Sequence, residues 1–199
     1  MNTDVFTAKL RQSKTGGADM TAKEYFQKDL HRWYNGRKET FWERINRPVE
    51  IKYIYWLRKD FCAKNKLAKM YYRFRIKLIA NKTQMQIHPK SEIGEGFYIG
   101  HPGDIHIRAK LGKNCNVSAG CTIGPTARGK RKGSPTLGDC VWVGLNAVVV
   151  GKIEIGDDVM IGPNAFVNFD VPSHSIVIGN PGKIIPRENA TEGYINKKI

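Results

Sequence analysis

Residues 137–167 read LGDCVWVGLNAVVVGKIEIGDDVMIGPNAFV, and an aliphatic residue stands at every sixth position of this stretch. The same spacing occurs earlier in the chain. The positions that share it are Ile87, Ile93, Ile99, Ile105, Leu111, Val117, Ile123, Leu137, Val143, Val149, Ile155, Ile161 and Val167. Neither the 3.6-residue period of a helix nor the two-residue alternation of a strand requires this spacing. It predicts a mainly β fold, a hexapeptide β-helix in which three hexads form one triangular coil.

The other positions of the hexads agree with this prediction. Glycine often follows the aliphatic residue, and a small or β-branched residue usually stands four positions after it. The latter are Ser91, Ala109, Cys115, Cys121, Val141, Ala147, Val159 and Ala165. Small side chains fit a narrow interior, and stacked coils pair their strands into three parallel sheets with about 4.8 Å between coils. Thirteen hexads predict a little over four coils.

The hexad spacing breaks once, between Ile123 and Leu137. The inserted stretch lies within residues 126–136, which contain no large apolar side chain and four basic ones. Such a segment cannot enter the solenoid interior, so we expect it to leave a corner as a loop. Loops on a rigid scaffold commonly carry binding residues.

The remaining residues divide into three further regions. We expect residues 1–20 to form a flexible tail, 21–84 an α-helical region, 85–185 the β-helix and 186–199 a C-terminal tail. Residues Thr21 to Glu24 have the form of a capping box. Shorter and longer helices are predicted over 39–45 and 49–80, the second interrupted at Asn65. The helical region should cover the open end of the solenoid, whose strand edges are otherwise exposed.

Composition is typical of a cytoplasmic protein. No segment approaches the roughly 18 uninterrupted apolar residues of a membrane span, and the first residues lack the apolar core of a signal peptide. The four cysteines show no CxxC pair, and we interpret them as small core residues without a metal or disulfide role. They are Cys62, Cys115, Cys121 and Cys140.

The formal net charge is +15. Between Lys52 and Lys82 there are ten basic residues and a single acid, Asp60, interleaved with aromatic residues. Three interpretations stay open: a solvated face around a packed aromatic stripe, a surface that contacts anionic lipid at the inner face of the membrane, and a nucleic-acid surface. The last is disfavoured because no recognised nucleic-acid motif accompanies the charge.

Residues 87–185 resemble the left-handed β-helix acetyltransferases, and within them the serine-acetyltransferase-like branch. The matching stretches are IHP at 87–89, IGEGFYIGH at 93–101, TIG at 122–124, SPTLGD at 134–139, DVPSH at 170–174 and GNPGK at 179–183. The resemblance implies a left-handed coil, an acetyl-CoA-dependent O-acetyltransferase without a metal, and a homotrimer or dimer of trimers with active sites between subunits.

By the same resemblance, His101 occupies the position of the general base. A hydroxyl must lose its proton as it attacks a thioester, and neutral imidazole is the usual acceptor near pH 7. The alternative is that His101 is an ordinary corner residue. We interpret His88, His106 and His174 as structural. His101 and His106 are spaced like two zinc ligands of the gamma-class carbonic anhydrases, but no third histidine lies two coils upstream.

Departures from the serine-acetyltransferase pattern favour another acceptor. The aspartate partner of the base is replaced by Gln86, the aspartate just before the base by Gly100, and the Arg-His pair at the end of the loop by Gly133 and Ser134. We expect Gln86, Gly100, Asp104 and Ser134 to orient the base or contact the acceptor. An amino acid needs fixed opposite charges, whereas a sugar does not. The sequence therefore predicts acetylation of a saccharide in polysaccharide biosynthesis, with serine as the alternative.

The coenzyme A candidates fall into two groups. Basic residues for its phosphates are Arg128, Lys130, Arg131, Lys132 and Lys183, unless the loop is merely a solvated basic segment. Corner positions that the resemblance places against the pantetheine arm are Gly124, Pro125, Leu145 and Pro163. Pro125 is a departure, because it has no N–H to donate. An alternative of another class is a non-catalytic hexapeptide scaffold, which coenzyme A binding would argue against.

Overall fold

The computed structural model describes residues 20–199, so the predicted flexible tail lies outside the described residues except for Met20. Residues 20–84 contain four helices, namely α1 (Ala22–Trp33), α2 (Phe41–Ile45), α3 (Val49–Cys62) and α4 (Lys66–Thr83). The capping box predicted at the start of α1 is present, with Thr21 accepting from the Glu24 N–H. The predicted interruption at Asn65 is also confirmed, because its side chain caps the N-terminus of α4.

Fifteen short strands follow within the described chain. They are β1 (Gln86–Ile87), β2 (Glu92–Ile93), β3 (Tyr98–Ile99), β4 (His106–Ile107), β5 (Lys110–Leu111), β6 (Asn116–Val117), β7 (Thr122–Gly124), β8 (Thr136–Leu137), β9 (Val141–Val143), β10 (Val148–Val150), β11 (Glu154–Ile155), β12 (Val159–Ile161), β13 (Phe166–Val167), β14 (Ser175–Ile178) and β15 (Lys183–Pro186).

The strands form the three sheets of a parallel β-helix. Their orders are β1-β4-β7-β10-β13 in the first sheet, β2-β5-β8-β11 in the second, and β3-β6-β9-β12-β14-β15 in the third. All pairings are parallel except that of β14 with β15. The aliphatic residues of the grid are buried in the interior. The predicted fold, a left-handed parallel β-helix after an α-helical region, is therefore confirmed, with about five coils rather than a little over four.

The interior stack departs from the six-residue grid in one coil. Ile107, and not Ile105, pairs with Ile87 below and Ile123 above. Ile105 is buried as well, but it precedes the strand. Two extra residues therefore enter the corner before β4, and the next corner is shorter by two. The longer corner is the one that contains His101.

The small residues of the hexads are all buried, as predicted. Cys115, Cys121 and Cys140 form no disulfide among the described residues, and burial raises the pKa of Cys115 and of Cys121 to about 12. A thiol with so high a pKa stays protonated near neutral pH. Cys115 and Cys121 are therefore core residues, as the sequence indicates.

The helices cover the first coil through polar contacts to its backbone. Arg58 donates to the carbonyl oxygens of Ile93 and Gly94 at 2.7 and 2.6 Å. It also makes a two-point ion pair with Asp29, which in turn accepts from the Phe97 N–H at 2.9 Å. These side chains satisfy backbone groups of the first coil that a preceding coil would satisfy elsewhere in the solenoid, which is the capping role expected of the helical region.

The last residues lie along the third sheet. Asp158 accepts from the N–H groups of Ala190 and Thr191 and from the Thr191 hydroxyl, at 3.0, 3.1 and 2.6 Å. The rings of Trp142 and Tyr194 lie 4.8 Å apart. We call residues 187–199 the C-terminal strap, because the segment predicted as a tail is held at several points. Within the described chain, no helix is long and apolar enough to cross a membrane.

Candidate active site

One edge of the solenoid carries the candidate base. The corner at 100–104 is followed one coil later by 118–120, since the Gly120 N–H donates to the Gly103 carbonyl oxygen at 3.0 Å. The next corners follow in the same way, with Asn146 donating to Ala119 and Asn164 donating to Leu145. His101, Leu145 and Pro163 therefore lie on one edge, spanning three coil steps or about 14 Å.

The corner around His101 is attached to the end of α4 by a backbone hydrogen bond. The Asp104 N–H donates to the carbonyl oxygen of Thr83, the last residue of α4, at 3.2 Å. Gly103 and Asp104 both have positive φ, 124° and 46°, which lets the longer corner turn back into β4. The His101 side chain is exposed, and no described residue hydrogen bonds with it. Within this chain, the imidazole is presented to solvent.

Two of the residues expected to orient His101, Gln86 and Asp104, lie beside a different histidine, His106. Gln86 is the register partner of His106 in the next strand. Asp104 Oδ1 lies 3.0 Å from His106 Nε2. Gly100 lies on the corner itself, next to His101, and its N–H donates to Val117. An orienting role of Gln86 or Asp104 toward His101 thus stays a prediction.

A groove of about 410 Å³ runs along the first sheet beside this edge. Its polar lining consists of Gln86, His88, His106, Arg108 and Thr122. Burial and the nearby cation Arg108 lower the pKa of His88, so its imidazole is neutral near pH 7. Sequence reasoning treated His88 and His106 as structural. One feature of the sequence could have placed His106 in this groove. Gln86, His106 and Thr122 each precede an interior aliphatic residue, so their side chains share the outer face of one sheet.

A second cavity, of about 480 Å³, lies between α3, α4 and the first coil. It shares Gln86 with the groove and contains the buried carboxylate of Asp60. Arg73 Nε lies 3.1 and 3.3 Å from the two oxygens of that carboxylate. Sequence reasoning did not find this pair, because the two residues lie on different helices and no motif links them.

The basic loop is folded onto the solenoid. Thr126 and Gly133 exchange backbone hydrogen bonds at 3.0 and 3.1 Å, and the Lys152 N–H donates to the Arg131 carbonyl oxygen at 2.8 Å. The Arg131 guanidinium pairs with Asp170 at 3.1 Å. Arg128, Lys130 and Lys132 are exposed, and no ion pair involves them in the described chain. Of the four predicted phosphate ligands on the loop, these three have charges that no ion pair among the described residues engages.

The other predicted cofactor positions are spread over two corners. Gly124 lies where the loop leaves the first sheet, and a side chain there would meet open space. Pro125 is exposed beside it, and Ser134 is half-buried where the loop returns. Lys183 is exposed at the start of β15. Only Leu145 and Pro163 share the edge of His101. Among described residues, no group of three or more His, Cys, Asp or Glu side chains could hold a metal ion.

Comparison with known proteins gives the same family as the hexads. The bacterial transferase hexapeptide model (six repeats) matches residues 134–168. A serine acetyltransferase from Helicobacter pylori is 40% identical over 108 residues, which cover 53% of this chain and 63% of that protein. The chain thus spans less than two thirds of that relative.

Solved structures agree with this result. A serine acetyltransferase from Brucella abortus has a TM-score of 0.72 at 22% identity, over 85% of this chain and 70% of that one. Another, in complex with CoA, has a TM-score of 0.66 at 22% identity, over 81% and 68%. These likenesses show the fold. Together with the relative, they confirm the resemblance to the left-handed β-helix acetyltransferases and their serine-acetyltransferase-like branch.

The predicted saccharide acceptor is wrong, because the relatives are serine acetyltransferases and favour the serine alternative. The prediction relied on the loss of charged residues at positions taken from the sequence pattern. A fold can supply charges from residues that are distant in sequence. The Asp60–Arg73 pair, which lines the same cavity as Gln86, is a pair of opposite charges that sequence reasoning did not place.

Proposed function

We propose that this chain is an acetyl-CoA-dependent serine O-acetyltransferase with His101 as the general base. The observation that carries the proposal is the solenoid edge on which His101, Leu145 and Pro163 stand in the first, third and fourth of four stacked corners. The identity of 40% to a serine acetyltransferase over this half of the chain supports it.

The reaction needs one proton acceptor and no covalent enzyme intermediate. The serine hydroxyl attacks the thioester carbonyl while its proton passes to His101. The C–S bond then breaks as the carbonyl re-forms, and the thiolate of coenzyme A takes the proton back from the imidazolium. The products are O-acetylserine and coenzyme A. The exposed position of His101 leaves room for both substrates to approach it.

The oxyanion that develops on the carbonyl needs a donor. Pro125 cannot provide one. In the described chain, the N–H groups of Ala119 and Leu145 donate no hydrogen bond to the protein, and both residues lie on the edge above His101. We propose that one of them replaces the missing donor and that the other contacts the pantetheine arm.

The charges of the acceptor can be met by the cavity beside Gln86. A zwitterionic amino acid needs a carboxylate for its ammonium group and a cation for its carboxylate. Asp60 is buried, whereas Arg73 is half exposed and engages Asp60 only through Nε. The two terminal nitrogens of Arg73 are therefore available to a substrate carboxylate. The Asp104–Thr83 hydrogen bond links the His101 corner to the end of α4, which lines this cavity.

We also propose that the active unit is a homotrimer. His101 is exposed and has no hydrogen-bond partner among residues 20–199 of its own chain. A second subunit on this edge would exclude water and complete the site, as closed cyclic assemblies do. Light scattering at micromolar concentration should give three times the chain mass, or six times for a dimer of trimers, and a monomer would contradict the proposal.

The decisive experiment measures thiol release from acetyl-CoA with L-serine and compares wild type with His101→Ala. Loss of a general base lowers kcat by about 10² to 10⁴. Coenzyme A binding and the assembly mass should not change. The matched control is His31→Ala, an exposed histidine on α1. Wild-type activity in His101→Ala, or no serine-dependent thiol release by wild type, would contradict the proposal.

A second experiment tests the acceptor charges. Arg73→Gln should raise KM for serine at least tenfold and leave KM for acetyl-CoA unchanged. Arg75→Gln is the matched control, because Arg75 lies on the same helix but stacks on Trp56 at 4.8 Å. If both variants behave alike, Arg73 does not contact the acceptor, whatever the outcome for His101.

A further inference from the structure

Helix α4 has two apolar sides, and only one of them is covered. Ile76, Ile79 and Ala80 pack toward the core with Tyr72 half-buried beside them. The opposite side carries five exposed residues, namely Leu67, Met70, Tyr71, Phe74 and Leu78. We call this set the outer face. None of the residues of α4 is fully buried.

The outer face is a continuous stripe. At about 100° per residue, its five members lie within a sector of about 100°. Leu67, Met70 and Phe74 are 70%, 66% and 57% exposed. Scattered exposed apolar residues are ordinary, but a rimmed stripe along a helix indicates an interaction surface.

Basic residues flank the stripe on both sides. By the same helical geometry, Lys66, Arg73 and Lys77 lie along one margin and Arg75 and Lys82 along the other. The helix contains six basic residues and no acidic one. Asp60 of α3 neutralises Arg73 alone. The surface is thus apolar at its centre and cationic at its rim.

We propose that the outer face of α4 docks the protein on an anionic lipid bilayer. A helix with an apolar stripe between rows of Lys and Arg lies in the interface plane, with the stripe among the acyl chains and the cations among the headgroups. Arg73 and Lys77 of one margin also line the cavity beside Gln86, but the apolar stripe does not, and vesicle binding requires neither acetyl-CoA nor serine.

Charge complementarity favours an anionic bilayer over a second copy of the outer face or a nucleic acid. Two outer faces packed together would bring the ten basic residues that flank the two stripes close to one another with no acid on either helix, and like charges at an interface repel. A nucleic-acid backbone would meet the cations but leave Leu67, Met70 and Phe74 without apolar contact. An anionic bilayer matches both parts.

The test is co-sedimentation of the full chain with phosphatidylglycerol vesicles at 10 mM ionic strength, against phosphatidylcholine vesicles. We expect binding to the anionic vesicles only, and most of it should be lost as the ionic strength rises to about 1 M, where the Debye length falls from about 30 Å to 3 Å. Absence of binding to anionic vesicles at low salt would overturn the proposal.

Two variants separate the cations from the stripe. The triple change Lys66→Gln, Lys77→Gln and Lys82→Gln should weaken binding by about 100-fold, since each basic residue near an anionic surface contributes roughly a factor of five to ten. Leu67→Ser with Phe74→Ser should weaken it as well and remove any binding that survives at high salt.

A matched control removes the same charge elsewhere. Lys23→Gln, Lys90→Gln and Lys198→Gln alter three exposed lysines outside α4. If this control loses as much binding as the α4 triple variant, net charge alone is responsible and the proposal fails. It also fails if Leu67→Ser with Phe74→Ser lowers the assembly mass and leaves vesicle binding unchanged, because the stripe would then be a contact between copies.

Discussion

Helices α3 and α4 are neighbours in the chain and pack against each other, yet they differ in which side chains they bury. Helix α3 buries seven residues, including the charged side chains of Glu50, Arg58 and Asp60. Helix α4 buries none and presents an apolar stripe to solvent. This difference in buried side chains shows that hydropathy alone does not decide which helix faces the core. The solenoid needs hydrogen-bond partners for its first coil, and α3 supplies them.

The largest effect is expected at Arg58. Arg58→Ala should lower the free energy of unfolding by about 3–5 kcal/mol, because it leaves the buried Asp29 carboxylate without its cation and two backbone carbonyl groups of the first coil without their donor. Chemical denaturation monitored by circular dichroism measures this. The control is Arg37→Ala, which breaks an exposed pair with Glu43 and should change the midpoint little. Equal effects of the two changes would show that α3 is not the cap that its contacts indicate.

An intermediate effect is expected where the C-terminal strap meets Asp158. Burial tends to raise the pKa of this carboxyl, but hydrogen bonds from Thr191, Ala190 and His174 outweigh it and hold the pKa below its ordinary value. A lowered pKa in the folded state stabilises the folded state above the unfolded pKa. That stability is lost as the pH falls through the folded value.

Amide hydrogen exchange of residues 187–199 should therefore accelerate below about pH 4. At neutral pH, Asp158→Asn should weaken the strap by about 1–3 kcal/mol, because an amide cannot accept at both oxygens. Asp157→Asn is the neighbouring control, and a strap that exchanges equally in both variants would contradict the role of Asp158.

The smallest effect is expected on the outer face of α4. Phe74→Ser should change the free energy of unfolding by no more than about 0.5 kcal/mol, since the ring is exposed and makes no core contact. Ile79→Ser, on the packed side of the same helix, should be clearly destabilising. If Phe74→Ser destabilises the chain as much as Ile79→Ser, the outer face is packed in the assembled protein.

The solenoid was predictable because its information is local and repeated. Each hexad carries an aliphatic residue and small partners, so thirteen positions report the same structure independently. The one error, Ile105 in place of Ile107, arose because both residues are aliphatic and both are buried. A strict period could not show that the corner had gained two residues and the next had lost two.

The candidate base was found from the sequence, but its surroundings were not. His101 follows a recognisable run, whereas the arrangement of Gln86, Asp104 and His106 depends on which residues adjacent coils place in register. The Asp60–Arg73 pair depends on how two helices cross. Those contacts join residues 2 to 20 positions apart, and sequence spacing alone does not predict them. The wrong prediction of a saccharide acceptor arose because these contacts were not known.

The β-helix, the helices before it, the position of the basic loop and the candidate base could be predicted from the sequence, because periodicity, capping residues and short motifs act over a few residues. Only the tertiary structure decided which side of α4 remains uncovered, which groups satisfy the first coil, and where the last residues lie. These outcomes depend on pairing buried polar groups between segments far apart in the chain. Such pairing is a property of the packed molecule, since a buried donor or acceptor must find its partner wherever the fold provides one.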